Sequence, residues 1–236
     1  MFEGKTVTVV LPAFNEERSI FDAVRDFLSV AVVDEVLVVN NRSSDATETE
    51  ARRAGARVVH EHTQGYGAAL TRGLRAATGD IIVLAEPDHT FVARDIYKLL
   101  AYSAEFAMVC GTRTAPHLIW TGANMPHPLR WGNTLVAKFI EFAYGGPSLT
   151  DCGCTLRLIH KAAWQRIEPY ISVTGSHFLP EMVILVLRCG LRMVEIPVNY
   201  RARVGDSKIT GSWRGTIRTG TRMVLLALRY LPFRPD

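Results

Sequence analysis

GDIIVLAEPDHTF, residues 79–91, decides how the chain is read. Five apolar residues, Ile81-Ile82-Val83-Leu84-Ala85, lead directly into two carboxylates, Glu86 and Asp88, with only Pro87 between them. A short, unbroken apolar run closed by a polar turn reads as a strand buried on both faces, and such strands belong to parallel sheets covered by helices. In extended backbone, residues i and i+2 project to the same side. Pro87 fixes its own φ and restricts Glu86, so the pair is stiff. Two carboxylates held this way repel each other unless a cation lies between them or one keeps its proton. Oxygen donors suit Mg2+ or Mn2+, and magnesium is typically held by one or two carboxylates, with water and substrate phosphates completing its shell. The other account of the same spacing is an acidic turn that binds nothing.

Working back from this strand, the chain alternates. Thr6–Leu11 is a β-branched strand, and Asn15 is placed to cap a helix from Glu16 to about Val30, with Ile20, Val24, Phe27 and Leu28 on one face. Glu35–Val39 is a second strand, followed by a helix that Ser43-Ser44-Asp45 opens and that ends near Ala54. Arg57–His60 is a third strand, and Gly65-Tyr66-Gly67 leads into a helix through Ala77, closed by Gly79. Strand and helix in repeated alternation predict an α/β fold, a mostly parallel Rossmann-like sheet flanked by helices. Beyond residue 90 the pattern loosens. Helices are expected over Ala93–Tyr102, Leu135–Phe142 and Leu179–Cys189, strands over Met108–Gly111 and Met193–Tyr200, and a loop over 114–129 with three prolines. Asp151–Ile159 is of mixed character. With 236 residues, 48% hydrophobic, and no repeat or linker, one domain is the simplest account.

Ligands of open α/β sheets bind outside the carboxyl ends of the strands. Three such ends carry polar residues: Leu11-Pro12-Ala13-Phe14-Asn15-Glu16, Asn40-Asn41-Arg42-Ser43-Ser44-Asp45 and Glu86-Pro87-Asp88-His89. Several other chemistries find weaker support. Gly65-Tyr66-Gly67-Ala68-Ala69-Leu70 lacks the third glycine of a dinucleotide fingerprint and follows the wrong strand. Gly205-Asp206-Ser207-Lys208 lacks P-loop spacing, and His60-Glu61-His62 reads as a surface strand. Of four cysteines only Cys152 and Cys154 are close, which is not zinc spacing. With no secretory signal at the start and no apolar run of about 18 residues, the expectation is a reduced cytoplasmic protein.

Taken in order, LPAFNEE (11–17), VVNNRSSDAT (38–47), GYGAAL (65–70), GDIIVLAEPD (79–88), GTR (111–113), TDCGCTLR (150–157), Glu181 and RVGDSK (203–208) resemble the family 2 glycosyltransferases of the GT-A fold. The similarity is greatest to the dolichyl/polyprenyl-phosphate sugar synthases, such as the dolichol-phosphate mannose synthases. The resemblance implies an inverting, metal-dependent transfer of a sugar from a UDP- or GDP-linked donor. It assigns nucleotide-sugar contacts to Pro12, Asn15, Glu16, Asn40, Asn41, Gly67, Glu86 and Asp88. Glu86 and Asp88 would hold Mg2+ or Mn2+. Catalytic roles fall to Asp151, Arg113, Arg203 and Lys208, and acceptor contacts to Arg113, Arg130, Ser207 and Lys208. Asp151 is the candidate base for a hydroxyl acceptor, whereas a lipid phosphate is already ionised and needs none. The chain departs from the family pattern at Asn40 and Asn41, which stand where the family has aspartates, and at Glu86, which replaces the first aspartate of the metal motif.

The charge is uneven. Net charge is +4, yet residues 201–236 hold eight basic and two acidic side chains, leaving 19 basic and 21 acidic residues before them. Arg214, Arg218 and Arg222 recur every four residues, Arg229 follows seven later, and Ile217, Val224, Leu225 and Leu228 lie beside them. This predicts a basic amphipathic helix over 212–236 following a catalytic domain over 1–211. Such a helix suits an anionic membrane surface, giving a peripheral protein on the inner membrane face. A helix packed on the core with its arginines in water is the alternative. The expected acceptor is a polyprenyl phosphate at the membrane, or else a soluble small molecule. No nucleic-acid module is present. A nucleotidyltransferase or a non-catalytic nucleotide-sugar scaffold are the competing classes.

Overall fold

The computed structural model describes residues 1–123, 127–204 and 213–235; positions 127–129 and 213–218 are described by their backbone alone. The apolar run that opened the reading is β4 (Ile81–Leu84), buried along its whole length. Before it come β1 (Val7–Ala13), α1 (Ile20–Leu28), β2 (Glu35–Asn40), α2 (Thr47–Arg53), β3 (Arg57–His60) and α3 (Tyr66–Ala76). After it come α4 (Ile96–Leu100), β5 (Met108–Thr112), α5 (His127–Tyr144), β6 (Arg157–His160), α6 (Lys161–Ile167), α7 (Phe178–Arg188), β7 (Met193–Pro197) and α8 (Trp213–Arg229).

The strands form one seven-stranded sheet in the order β3-β2-β1-β4-β6-β5-β7. Among the described strands β6 alone runs antiparallel, pairing Leu84 with Arg157 on one side and Cys110 with Arg157 on the other. The parallel strands β1, β2, β4 and β5 are buried on both faces, and the pleat sends alternate residues to opposite cores. Val7, Val9, Leu11, Val36, Val38, Ile81 and Val83 meet α1, α2 and α4. Val10, Leu37, Val39, Ile82 and Leu84 meet α3, α6 and α7. Each such side chain contributes about 1.5–3 kcal/mol by leaving water, and this sandwiching fixes where the strand ends lie.

Four expectations are revised. Asn15 does not cap α1; its φ is +54°, and the chain makes a further turn, with Ile20 N–H bonding the Glu16 carbonyl at 2.9 Å, before the helix starts. Ala93–Asp95 is a 3-10 turn, so α4 is shorter than expected. The helix expected over Leu135–Phe142 is the middle of α5, which begins at His127 and takes in the end of the expected loop. The mixed segment supplies β6 and is followed by α6, which the sequence reading did not contain. The C-terminal helix α8 buries Leu226 and Ala227, and Tyr230 just after it, in the core that contains α3, α6 and α7.

Candidate active site

Each of the three turns after β1, β2 and β4 contains a non-glycine residue in the left-handed region: Asn15 at φ +54°, Arg42 at +65° and His89 at +64°. Such backbone costs of order 1–3 kcal/mol and persists where surrounding contacts hold it. The turns after β1 and β2 are tied together. Asn15 Oδ1 accepts the Ser44 N–H at 2.8 Å, the Asn15 N–H reaches Ser43 Oγ at 3.0 Å, and the Glu16 N–H reaches Thr47 Oγ1 at 2.8 Å. Pro12 lies within β1, opposite Val39.

The two asparagines that depart from the family pattern have internal partners. Asn41 donates to the carbonyls of Glu61 and Thr63 at 3.0 and 2.8 Å and accepts the Gly65 N–H at 2.9 Å. Only an amide can both donate and accept here, because an aspartate would set its charge against two carbonyl oxygens. Asn40 accepts the Ser43 N–H at 2.9 Å and donates to Glu48 Oε2 at 3.2 Å. Both asparagines are buried. Gly67 opens the way for close packing, since a Cβ there would lie 2.6 Å from the Val173 carbonyl oxygen and 2.9 Å from Phe178 Cβ.

The acid pair is built asymmetrically. Asp88 is 1% exposed. Its Oδ1 accepts the N–H and hydroxyl of Thr90 at 3.0 and 2.6 Å. Its Oδ2 has Arg203 Nη2 at 3.0 Å, but the alignment is poor and that oxygen makes no hydrogen bond. Glu86 Oε1 accepts the Thr155 hydroxyl at 2.6 Å and the Tyr66 hydroxyl at 3.3 Å. Burial first, and the Asp88 charge second, push the Glu86 carboxyl up to about 7 against the opposing Thr155 hydrogen bond. A buried carboxylate oxygen without a hydrogen bond, two residues from a second acid, fits a divalent cation. Among the described residues no cluster of three His, Cys, Asp or Glu side chains is gathered. A cation here would therefore be held by Asp88 and Glu86 and completed by ligand oxygens, as Mg2+ and Mn2+ are.

Across the sheet, Arg113 and Asp151 form a bidentate pair. Asp151 also accepts the Arg113 and Gly153 N–H groups, each at 3.2 Å, and the Asn133 amide of α5 at 3.4 Å. Its own N–H is held by Glu195 of β7 at 3.0 Å. A carboxylate so engaged anchors Arg113. The Tyr200 ring lies 5.3 Å from the Arg113 guanidinium. Arg157, fully buried, donates to the carbonyls of Cys152, Cys154 and Leu179 and braces the 151–155 turn. Arg130 sits in the first turn of α5, next to the site through its neighbour Asn133. Ser207 and Lys208 lie outside the described residues.

Several participants were not singled out from sequence. Tyr66 and Thr155 fall inside quoted motifs, but a hydroxyl carries no spacing signal of its own. Asn133 and Glu195 fall in segments with no motif. Glu181, noted only as part of the pattern, is fully buried and accepts from Ser172 N–H at 3.1 Å, Val173 N–H at 3.0 Å and the Tyr230 hydroxyl at 2.7 Å.

Comparison with known proteins gives the fold and the family. The solved glucosyl-3-phosphoglycerate synthase of Mycobacterium tuberculosis, in complex with Mn2+, UDP-glucose and phosphoglyceric acid, superposes with a TM-score of 0.72 at 22% identity, covering 99% of this chain and 82% of that one. The fold is thus the GT-A fold. A glycosyltransferase of uncharacterised activity from Mycobacterium tuberculosis is 33% identical over 215 residues, which is 91% of this chain and 94% of its own length. The dolichyl-phosphate hexose transferase of Haloferax volcanii is 28% identical over 205 residues, 86% of each chain. The family model for glycosyl transferase family 2 matches residues 8–167, from β1 to the end of α6, taking in both the acid pair and the Arg113–Asp151 pair; the chain belongs to that family and is a glycosyltransferase.

Proposed function

We propose that this glycosyltransferase takes a sugar from a UDP- or GDP-linked donor and passes it, with inversion, to a phosphate-bearing acceptor, a polyprenyl phosphate at a membrane surface. The observation that carries the donor half is the buried Asp88 Oδ2 without a hydrogen bond, opposite Arg203 and two residues from Glu86. A bound Mg2+ or Mn2+ supplies charge neutralisation for the departing diphosphate. Around it, the chain's own groups bind and orient. The strand ends and turns bearing Pro12, Asn15, Glu16, Asn40 and Asn41 form the wall on the nucleotide side. Arg203 faces the phosphates as a charge-assisted donor, a role also expected of Lys208, which lies outside the described residues.

The acceptor half rests on Asp151. Arg113, Gly153 and Asn133 already donate to both its oxygens. An acceptor phosphate is already ionised near neutral pH and needs no base. A hydroxyl acceptor would need one. Arg113, aimed by Asp151, and Arg130 at the start of α5 are the groups to receive that phosphate; Ser207, expected beside them, lies outside the described residues.

The membrane half rests on two helices. α5 exposes Trp131 (75%), Leu135 (76%) and Phe142 (90%), spaced by four and seven residues along one face. α8, packed beside it, exposes Leu225 and Leu228, and Lys138, Arg222 and Arg229 are exposed around them. Apolar side chains ringed by cations suit the interface of an anionic bilayer. Among the described residues no helix is long and apolar enough to cross a membrane.

A calorimetric panel of UDP, GDP, dTDP and their sugars, with and without Mn2+ or Mg2+, tests the donor. The expected result is metal-dependent binding of one nucleotide, lost in Asp88→Ala. Absence of binding by any of them would overturn the donor reading. Pelleting with anionic but not neutral liposomes tests the acceptor side. Failure to pellet at low salt would turn the reading to a soluble phosphorylated acceptor.

A further inference from the structure

Arg203 occupies the one position on Asp88 that a metal would need. Oδ1 is taken by both Thr90 donors, at 3.0 and 2.6 Å, so Oδ2 is the remaining acceptor, and Arg203 Nη2 stands 3.0 Å from it. The contact is poorly made. Oδ2 has no aligned hydrogen bond, and Arg203 Nε is buried with no partner at all. The backbone on either side is clipped to the acidic turn: the Arg201 N–H bonds the Thr90 carbonyl at 2.8 Å and the Val204 N–H bonds the Asp88 carbonyl at 2.9 Å. The main chain is therefore held while the guanidinium is loosely bound, and any exchange is a rotation of the Arg203 side chain.

A divalent ion binds a carboxylate oxygen at about 2.0–2.2 Å. It cannot share Oδ2 with a guanidinium that already sits against it, because the two cations repel in a site with little water. A metal arriving alone would strip Arg203 of the one anion that pairs with it among the described residues and leave its donors unpaired. A metal arriving with a diphosphate brings a replacement anion, and a guanidinium matches phosphate oxygens better than it matches this carboxylate.

We propose that Arg203 is the resting counter-ion of Asp88 and yields that oxygen only to a cation accompanied by a nucleoside diphosphate, so that metal and nucleotide strengthen each other's binding. By linkage the effect is reciprocal, and coupling of this kind is typically 5–150-fold. The proposal rests on the metal–diphosphate reading of the site, and its test separates the two.

Free Mn2+ would be titrated by electron paramagnetic resonance against the wild-type chain, Arg203→Gln, Arg203→Lys and Asp88→Asn, each with and without UDP or GDP. Wild type is expected to bind Mn2+ weakly alone and about tenfold or more tightly with the nucleotide it accepts. Arg203→Gln is expected to bind Mn2+ alone about fivefold or more tightly than wild type, with a smaller gain on adding nucleotide. Arg203→Lys keeps the charge and is expected to stay as weak as wild type without nucleotide. Asp88→Asn is expected to lose Mn2+ in every case. If Arg203→Gln binds Mn2+ alone no better than wild type, or Arg203→Lys gains as much as Arg203→Gln, the counter-ion role is overturned while the metal site stands. If no variant binds Mn2+ even with nucleotide, the site reading itself falls, and this inference with it.

Discussion

Arg113 and Asp151 meet through two parallel contacts, Nε to Oδ2 at 2.7 Å and Nη2 to Oδ1 at 3.0 Å, across 38 residues of sequence. The aspartate sets the plane of the guanidinium and leaves the arginine's outer edge to a ligand. On the reading proposed above, it positions Arg113 and takes no proton. Asp151→Asn and Arg113→Lys should therefore each lower kcat/KM by roughly 10–100-fold, with the double variant little worse than either, as for residues that act as a unit. The pH–rate profile of Asp151→Asn should keep its shape. Loss of a limb from that profile in the variant would restore the base assignment.

Glu86 makes the unliganded protein sensitive to alkali. Its carboxyl is raised to about 7 by burial and by Asp88, above the value it has in an unfolded chain. A raised carboxyl contributes stability that is fully present below the unfolded-chain pKa and is lost as pH rises through 7. Without metal or nucleotide, Glu86→Gln should match wild type near pH 4 to 5 and exceed its Tm by a few °C at pH 8, on the order expected for a kcal/mol or two in a chain this long. Thermal denaturation across that range reads this directly, and parallel Tm curves would contradict it.

Tyr230 is the seam between α8 and the catalytic core. Its hydroxyl donates to Glu181 at 2.7 Å in a fully buried setting. Tyr230→Phe should destabilise the protein by about 1–3 kcal/mol, since the carboxylate loses a donor it cannot replace with water. Urea unfolding measures the change, while liposome pelleting should be unaltered.

The outer face of α5 should behave in the opposite way. Phe142 is 90% exposed, so Phe142→Glu and Leu135→Glu should shift stability by no more than about 0.5 kcal/mol. The pair should nonetheless abolish pelleting with anionic liposomes. Unchanged pelleting would remove α5 from the membrane face.

What could be read from sequence follows the physics of each element. β1, β2 and β4 were legible because strands buried on both faces appear as unbroken apolar runs. α6 was not, since seven residues with Ala163, Trp164 and Ile167 inward are too few to establish a helical period. The start of α5 was obscured by Pro128 and by Trp131 and Leu135, apolar residues on the solvent side that blur the polar face a helix ordinarily shows. Asn15 was misread as a cap because a left-handed turn offers the same residue type a different use. In the site, Glu86 and Asp88 announced themselves by adjacency. Arg113 with Asp151, and Glu86 with Tyr66 and Thr155, are brought together only by sheet order and the reversed direction of β6.

The buried carboxylate of Glu181 has a consequence for any shortened form of the chain. It holds the Ser172 and Val173 amides from one side and the Tyr230 hydroxyl from the other. The next residue along, Thr174, receives the Ala68 N–H at 3.1 Å, in the first turn of the helix whose Tyr66 reaches Glu86. Removing the last 25 residues would thus do more than strip away the outer surface of α8: it would loosen the far end of a brace whose near end steadies the Glu86–Asp88 pair. Cutting the chain and repainting its outer face are different experiments, and only the second leaves the catalytic half as it stands.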